Sequence, residues 1–158
     1  MEKMIRVTAR GIIVRDGHIL LIACHKDGLG PHYAIPGGGV HYGEPFQEAV
    51  RRELREVTGL DVEVGRLLMT VEALHENATT PANEFHGIAL LFECSIPANA
   101  RPELPPTPDY TQVGVAWIPL EKLTRITLLP DIGAALQAVL RGDPDPPTFV
   151  RHTRIPGT

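Results

Sequence analysis

The sequence has little that would tie the protein to a membrane or to a disulfide framework. Its 158 residues include only two cysteines, Cys24 and Cys94, and both lie in apolar runs. Two such residues are more typical of buried thiols than of disulfides, which favours a reducing, cytoplasmic setting. No apolar run approaches the roughly 20 residues that span a bilayer, and residues 1–10 lack the apolar segment of a signal peptide. We therefore expect no membrane partner.

Basic residues are also in the minority. The 15 lysines and arginines are outnumbered by 19 acidic residues, and no basic stripe runs along the chain. A formal net charge of −4 argues against a nucleic-acid polymer as partner. A polyphosphate substrate would then need another source of positive charge at its site, and bound metal ions are the usual one.

The chain length suits one domain, which we place at residues 1–142. Residues 143–158 form a Pro-rich tail without hydrophobic periodicity. We expect this tail to be irregular, or to be pinned to the surface or to a partner subunit. Residues 97–108 are also Pro-rich, and because proline cannot donate to a sheet ladder, they indicate a surface loop between two strands.

Apolar and β-branched runs predict several strands, and Asp16-Gly17 is a hairpin dipeptide between the first two. The predicted strands cover residues 5–14, 18–23, 33–35, 62–73, 85–95 and 113–118. The fourth and fifth of these read as a hairpin around a polar loop at residues 77–83. The first strand offers an edge through which two copies could pair, so a monomer and a homodimer both fit the sequence.

Two segments have helical periodicity, at residues 45–57 and 130–141. Pro45 suits a first helical turn, and Gly59 and Gly142 suit the ends of the two helices. Strands interspersed with two helices predict an α/β sandwich. The residues expected to face inward are Phe46, Ala49, Val50, Leu54 and Val57 in the first helix, and Ile132, Ala135, Leu136, Val139 and Leu140 in the second.

The first helix follows a glycine run and carries several glutamates, of which Glu53 and Glu56 lie on one helix face. Carboxylates this close repel each other unless a positive group lies between them. A hard divalent cation such as Mg²⁺ or Mn²⁺ is the usual partner of such oxygen ligands. The alternative is a solvated amphipathic helix, because three arginines alternate with these glutamates and most such charges only face water.

Residues 38–60 read GGVHYGEPFQEAVRRELREVTGL. This segment closely resembles the Nudix box, the signature G-x5-E-x7-R-E-U-x-E-E-x-G-U of the Nudix hydrolases, in which U is apolar. Each fixed position matches except the last glutamate, where Val57 stands. The resemblance extends to the flanking strands and to Leu129-Pro130, and it covers most of residues 5–141. It implies a mixed-sheet α/β/α sandwich with the box as a loop–helix–loop.

The resemblance also implies a chemistry. Family members bind one to three Mg²⁺ or Mn²⁺ ions, so Glu53 and Glu56 would be metal ligands, with the carbonyl of Gly37 or Gly38 as another. Metal-activated water would attack one phosphorus of a nucleoside diphosphate linked to a second moiety X. Glu53 would act as general base or as ligand.

Glu44 and Arg52 are the remaining catalytic candidates, since family members brace the box by a salt link at these positions. Val57 replaces a usual ligand and also extends the apolar stripe of its helix. Three interpretations stay open: a site that works with fewer metals, a weak enzyme, or a ligand-binding protein on a Nudix scaffold. A prenyl diphosphate isomerase shares the fold but needs a reactive cysteine at the site, and Cys24 lies in an apolar strand.

The resemblance leaves the substrate and the outer ligands open. No short pattern downstream of the box matches those of NADH, ADP-ribose or dinucleoside polyphosphate hydrolases. His25, His32 and His41 are expected in polar loops near the glycines, where they could also bind phosphate. The candidates for an acidic ligand outside the box are Glu72, Glu76, Glu84, Glu93 and Asp109. The candidates for substrate contact are His25, Tyr33, Glu72 and Glu84.

Overall fold

A computed structural model describes residues 3–75 and 85–153. Within them the chain forms nine strands, two α-helices and a short 3₁₀ turn at Leu120–Lys122. The helices are α1, Phe46–Thr58, and α2, Gly133–Leu140. The strands are β1 Arg6–Arg15, β2 His18–Lys26, β3 Gly30–Ala34, β4 Gly37–Gly39, β5 Glu63–His75, β6 Phe85–Ser95, β7 Gln112–Pro119, β8 Leu128–Leu129 and β9 Phe149–His152.

The strands form a mixed sheet with β1 in its interior. The order is β8-β3-β2-β1-β6-β5-β9, with β4 paired to β1 and β7 paired to β2. Three of the pairings, β1 with β6, β5 with β9 and β3 with β8, are parallel. Because β1 pairs with β2, β4 and β6, the expectation that it offers a free edge to a second copy is wrong.

The first hairpin is formed as predicted. Asp16 and Gly17 both have positive φ, 52° and 73°, which suits the tight turn between antiparallel β1 and β2. β5 and β6 also pair antiparallel as predicted, while the loop expected at residues 77–83 lies outside the described residues. His25 and His32 lie in β2 and β3, so the expectation that they occupy loops is wrong.

One helix packs on each face of the sheet, which makes the fold an α/β/α sandwich. Ala49, Val50 and Leu54 of α1 are fully buried against Ala9 and Ile13 of β1. Each fully buried aliphatic side chain contributes about 1.5–3 kcal/mol by its removal from water. The other face packs against Ile132 and Leu136, together with the buried side chains of β2, β5 and β6. Both cysteines are free and buried, as expected.

The bounds of α1 agree with the prediction to within one residue. Gly59 adopts φ 72° and donates its N–H to the carbonyl of Arg55 at 2.9 Å, which ends the helix. Two of the residues expected in the apolar face do not join the core. Phe46 is 45% exposed, and Val57 is only partly buried and lies outside the core clusters.

α2 is shorter than predicted, because the chain before it is used for other contacts. Leu128–Leu129 pairs in parallel with β3 as β8, and the helix starts only at Gly133. A Cβ at position 133 would collide with the carbonyl of Leu123, so glycine allows the helix to begin against the 3₁₀ turn.

The Pro-rich tail is pinned to the sheet, which was one of the expectations, but it is not wholly irregular as also expected. Phe149–His152 forms β9, which pairs in parallel with β5 from Thr70 to Ala73. The N–H of Thr70 also donates to the carbonyl of Thr148 at 2.9 Å. No helix in the described parts of the chain is long and apolar enough to cross a membrane.

Candidate active site

Arg52, in the middle of α1, is the centre of a charged network. Its Nε and Nη2 donate to the two carboxylate oxygens of Glu44 at 2.8 and 2.9 Å, which is the salt link that the resemblance implied. Nη2 also donates to the carbonyl of Gly39, and Nη1 donates to Oε1 of Glu53 at 2.7 Å. One guanidinium therefore fixes the glycine strand, the following loop and the helix relative to one another.

Glu44 is held as a carboxylate by this network. The hydrogen bonds from Arg52 lower its pKa from 4.5 to about 2; burial opposes this shift, and the backbone N–H of His41 adds to it. Glu44 is thus fully charged at neutral pH, and both of its oxygens are already engaged. Such a group is suited to holding the loop in place rather than to accepting a proton.

Glu53 lies beneath the glycine strand. Its side chain is only 14% exposed, and a Cβ at Gly38 would collide with its carboxylate. Glycine at position 38 is therefore needed for the backbone of β4 to approach this carboxylate. On β1, Arg10 is close enough to Glu53 for their charges to interact. Glu53 is thus a mostly buried carboxylate that both the helix and the glycine strand help to place.

Glu56 lies one turn further along α1 and is open to solvent. Its side chain is 60% exposed, and its Oε2 lies 3.6 Å from Nη1 of Arg52. The positive group that must separate Glu53 from Glu56 is thus partly supplied by Arg52. Val57 lies four residues after Glu53, on the same side of the helix, and adds no ligand there.

The donors present fit a hard divalent cation that has few protein ligands. Mg²⁺ commonly binds through one or two carboxylates and keeps several waters, which matches a site built on Glu53, Glu56 and the glycine backbone. In residues 3–75 and 85–153 no group of three or more His, Cys, Asp or Glu side chains converges. The metal would therefore depend on backbone oxygens, water and substrate to complete its coordination.

A cavity of about 260 Å³ lies on the opposite face of the sheet from α1. Arg6, Thr8 and Arg10 line one side of it, and Thr8 and Arg10 pair with Gly39 and Gly37 across β1 and β4. Arg10 donates to the carbonyl of Ile35 at 2.7 Å. Burial and the neighbouring Arg6 lower the pKa of Arg10 to about 10, and Glu53 opposes that shift. Arg10 is therefore still a cation at neutral pH.

The other side of the cavity contains a group of rings from three strands. His75 ends β5, Phe85 begins β6, and His152 ends β9. The imidazole of His75 lies 6.1 Å from the ring of Phe85 and 5.7 Å from that of His152, measured between centroids. Sequence reasoning did not group these three residues, because only the strand pairings bring them together.

Of the residues predicted to contact substrate, those that the structure describes lie outside the cavity wall. His25 is exposed on β2, and Tyr33 packs against the core beside α2. Glu72 alternates with the residues of β5 that line the cavity, so its side chain points to the other face. There it accepts hydrogen bonds from Arg151 at 2.7 Å and His86 at 3.1 Å. Glu84 lies outside the described residues.

The other candidate acidic ligands that the structure describes are exposed and already have partners. Glu93 is exposed and paired with Arg66 at 3.3 Å. Asp109 is exposed and accepts the backbone N–H of Thr111 at 3.1 Å. Glu76 lies outside the described residues. Glu53 and Glu56 are thus the two predicted metal ligands that the structure places side by side on one helix.

Comparison with known proteins identifies the family of the chain. A family model described as the NUDIX domain matches residues 4–139. The chain belongs to the Nudix hydrolase family, whose members generally use divalent metal ions. The nucleoside triphosphatase NudI of Escherichia coli is 30% identical over 136 residues, which are 82% of this chain and 90% of that protein.

Two further relatives show the range of the family. An ADP-ribose pyrophosphatase of Methanocaldococcus jannaschii is 45% identical over 62 residues, which span 39% of this chain but only 37% of that protein. The crystal structure of a MutT protein from Methanosarcina mazei superposes with a TM-score of 0.68 at 23% identity, covering 89% of this chain and 96% of the other. This structural likeness shows the shared fold.

Proposed function

We propose that the protein is a pyrophosphohydrolase that cleaves the diphosphate bond of a nucleoside diphosphate linked to a second moiety X, with Mg²⁺ or Mn²⁺ as cofactor. The observation that carries the proposal is the position of Glu53. It is a mostly buried carboxylate beneath a glycine strand, it is oriented by Arg52, and its charge interacts with that of Arg10, a residue of the cavity wall.

Each residue of the site has a separate role in the proposed hydrolysis. When bound at Glu53 and Glu56, the metal would supply an activated water and would neutralise phosphate oxygens. Arg6 and Arg10 offer positive charge to the phosphates at the cavity wall. Glu53 can accept the proton that water loses as its oxygen bonds to phosphorus and the bond to the leaving phosphate breaks. Arg52 and Glu44 keep Glu53 in position.

The named activities of two relatives support a nucleotide-like substrate. One is called a nucleoside triphosphatase and the other an ADP-ribose pyrophosphatase, and both names refer to substrates with linked phosphates. The cavity of about 260 Å³ is just below the roughly 300–1,000 Å³ typical of ligand pockets, so it suits one small group of the substrate. The cytoplasmic setting, the absence of a polymer partner and the homodimer stay predictions from the sequence.

The direct test is turnover of a substrate panel by the purified chain. Nucleoside triphosphates, ADP-ribose, sugar nucleotides and dinucleotides would be incubated with Mg²⁺ or Mn²⁺, and phosphate products would be measured. We expect turnover that EDTA abolishes and that Glu53→Gln lowers by about 100-fold or more. Glu48→Gln is the matched control, because Glu48 lies on the same helix but is exposed and pairs only with Arg51 among the described residues.

Two results would contradict the proposal. One is turnover that survives EDTA, and the other is an equal loss of turnover in Glu53→Gln and Glu48→Gln. Tight binding of one compound, with no turnover of any, would instead favour a ligand-binding role for the fold.

A further inference from the structure

Two ring nitrogens, on histidines that line the cavity, have no hydrogen-bond partner among the described residues. Nε2 of His75 and Nδ1 of His152 are buried from solvent, and no group in the described parts of the chain bonds to either. Buried polar atoms in folded proteins are nearly always paired, because an unpaired one loses its bond to water without replacement. Two such atoms on adjacent rings in one cavity therefore indicate a place for a ligand that supplies the missing bonds.

The chemistry of these atoms favours an uncharged ligand group. Burial and the neighbouring His152 lower the pKa of His75, so its imidazole is neutral at neutral pH. A neutral imidazole presents one N–H donor and one acceptor nitrogen. The His75 ring can thus match a donor or an acceptor on the edge of a heterocycle, whereas a phosphate would be better served by the arginines across the cavity.

Phe85 adds an aromatic surface at the same end. A Cβ at Gly87 would lie 2.5 Å from two atoms of the Phe85 ring, so the ring lies over the backbone of this glycine. Phe85 is also 41% exposed, which leaves part of the ring uncovered by the described residues. Aromatic rings stack in offset or edge-to-face arrangements, and an uncovered ring beside hydrogen-bonding groups is suited to binding a flat, polar ring.

The sheet register separates this end from the arginines. Arg6 pairs with Gly87, Gly87 with Ala73, and Ala73 with His152. The row crosses three strand spacings of about 4.8 Å, or roughly 14 Å in all. Its middle positions are Gly87, over which the ring of Phe85 lies, and the small residue Ala73. One substrate can thus place an anionic group near Arg6 and a ring near His152.

We propose that His75, His152 and Phe85 form a recognition site for the heterocyclic base of the substrate, with the two histidines bonding to the edge of the base and Phe85 stacking on it. The nucleotide nature of the ligand rests on the proposed function above. His152 lies beyond residues 4–139, the part matched by the family model. The C-terminal strand β9 therefore supplies a specificity residue that the family match does not include.

The test measures binding without hydrolysis. Nucleoside 5′-monophosphates with each of four bases, and ribose 5-phosphate without a base, would be titrated into the full chain by calorimetry. We expect the wild type to bind at least one nucleotide about tenfold more tightly than ribose 5-phosphate. His152→Phe and His75→Phe keep a ring but remove the nitrogens, and each should lose about that factor for the nucleotide alone.

A matched control variant and a second measurement accompany the binding test. His25→Phe changes an exposed strand histidine outside the cavity wall and should bind like the wild type. The ¹⁵N resonances of the His75 and His152 rings should shift on addition of the preferred nucleotide but not of ribose 5-phosphate. Nucleotide affinities within twofold of the wild type in both cavity variants would overturn the proposal. Equal wild-type affinity for ribose 5-phosphate and the nucleotides would also overturn it.

The outcomes separate this inference from the proposed hydrolase activity. Histidine-dependent nucleotide binding without turnover of any diphosphate would support the recognition site and contradict the hydrolase. Turnover that depends on Glu53 but not on the base or on either histidine would support the hydrolase and contradict the recognition site. Binding of Zn²⁺ by the two ring nitrogens, with no effect of nucleotides on them, would identify a metal site and overturn the proposed base recognition.

Discussion

The two sides of the candidate site differ in how their polar groups are paired. On the helix side, the guanidinium of Arg52 bonds to Glu44, Glu53 and a glycine carbonyl. On the ring side of the cavity, His75 and His152 each keep a buried nitrogen without a partner among the described residues. Paired charges hold a catalytic carboxylate in a fixed geometry before substrate arrives. Unpaired atoms gain their bonds only when a ligand binds. We therefore expect the helix side to determine kcat and the ring side to determine which substrate is bound.

The largest expected effect is that of Arg52→Gln, which removes the centre of the paired network. Glu44, Glu53 and the carbonyl of Gly39 lose their shared donor, so we expect kcat to fall by about 100-fold or more. The free energy of unfolding should fall by about 1–3 kcal/mol, because charged groups lose their partners. Kinetics and urea denaturation would measure both.

Arg51→Gln is the control for Arg52→Gln. Arg51 is 42% exposed and pairs only with Glu48 in the described structure, so its removal should cost under about 1 kcal/mol. Similar losses in the two variants would show that charge near the helix, rather than the network, is what matters.

Gly38→Ala tests the close approach of β4 to Glu53. The new Cβ would collide with the carboxylate, so Glu53 must rotate away and kcat should fall by about tenfold or more. Gly39→Ala is the neighbouring control, since a Cβ there meets only Nη2 of Arg6 at 3.8 Å. Steady-state kinetics and a thermal melt of both proteins check the prediction. Full activity of Gly38→Ala would show that Glu53 need not occupy this position.

A smaller gain is expected from Val57→Glu. Val57 is partly buried and outside the core clusters, so the change should leave the fold intact. A third carboxylate beside Glu53 and Glu56 should lower the Mg²⁺ concentration needed for half-maximal activity severalfold, because ligand charge raises affinity for hard cations. Mg²⁺ titration of the initial rate measures this, with Thr107→Glu on an exposed loop as control. An unchanged titration would place the metal away from this helix turn.

The smallest effect concerns the acid stability of Glu44→Gln. The folded-state pKa of Glu44 is about 2 and its ordinary value is 4.5, so this carboxylate stabilises the fold fully above about pH 4.5. That contribution is lost as the pH falls from 4.5 toward 2. The difference in unfolding free energy between wild type and Glu44→Gln should therefore shrink over this range, as urea melts at pH 3, 4 and 7 would show. A difference that does not change with pH would mean that Glu44 titrates normally in the fold.

The helix side of the site could be predicted because its partners are close in sequence. Glu44, Arg52 and Glu53 lie within ten residues of one another, and the resemblance to the Nudix box already implied the salt link between the first two. The glycine run before them indicated a close backbone approach, which Gly38 shows. Sequence patterns did not indicate that Arg52 would stand between Glu53 and Glu56, nor that Val57 would lie outside the core.

The ring side could not be predicted in this way, because strand pairing brings together residues that are far apart in the chain. Arg6 and His152 share a row of the sheet only through β6 and β5. The tail also showed no periodicity, since β9 has four residues and follows a run of prolines. The prediction of a free edge at β1 was wrong for the same reason, because a single sequence does not reveal that β4 and β6 pair with β1 on its two sides.

β9 also limits the association of the sheet with other protein chains. It is the last strand of the sheet, and it covers the hydrogen-bonding edge of β5 from Thr70 to Ala73. An uncovered strand edge is a template for pairing with another chain and for aggregation. Proteolysis, or an affinity tag that displaces β9, would therefore remove His152 from the cavity and leave the edge of β5 unpaired. We expect a loss of solubility to accompany the loss of substrate selectivity.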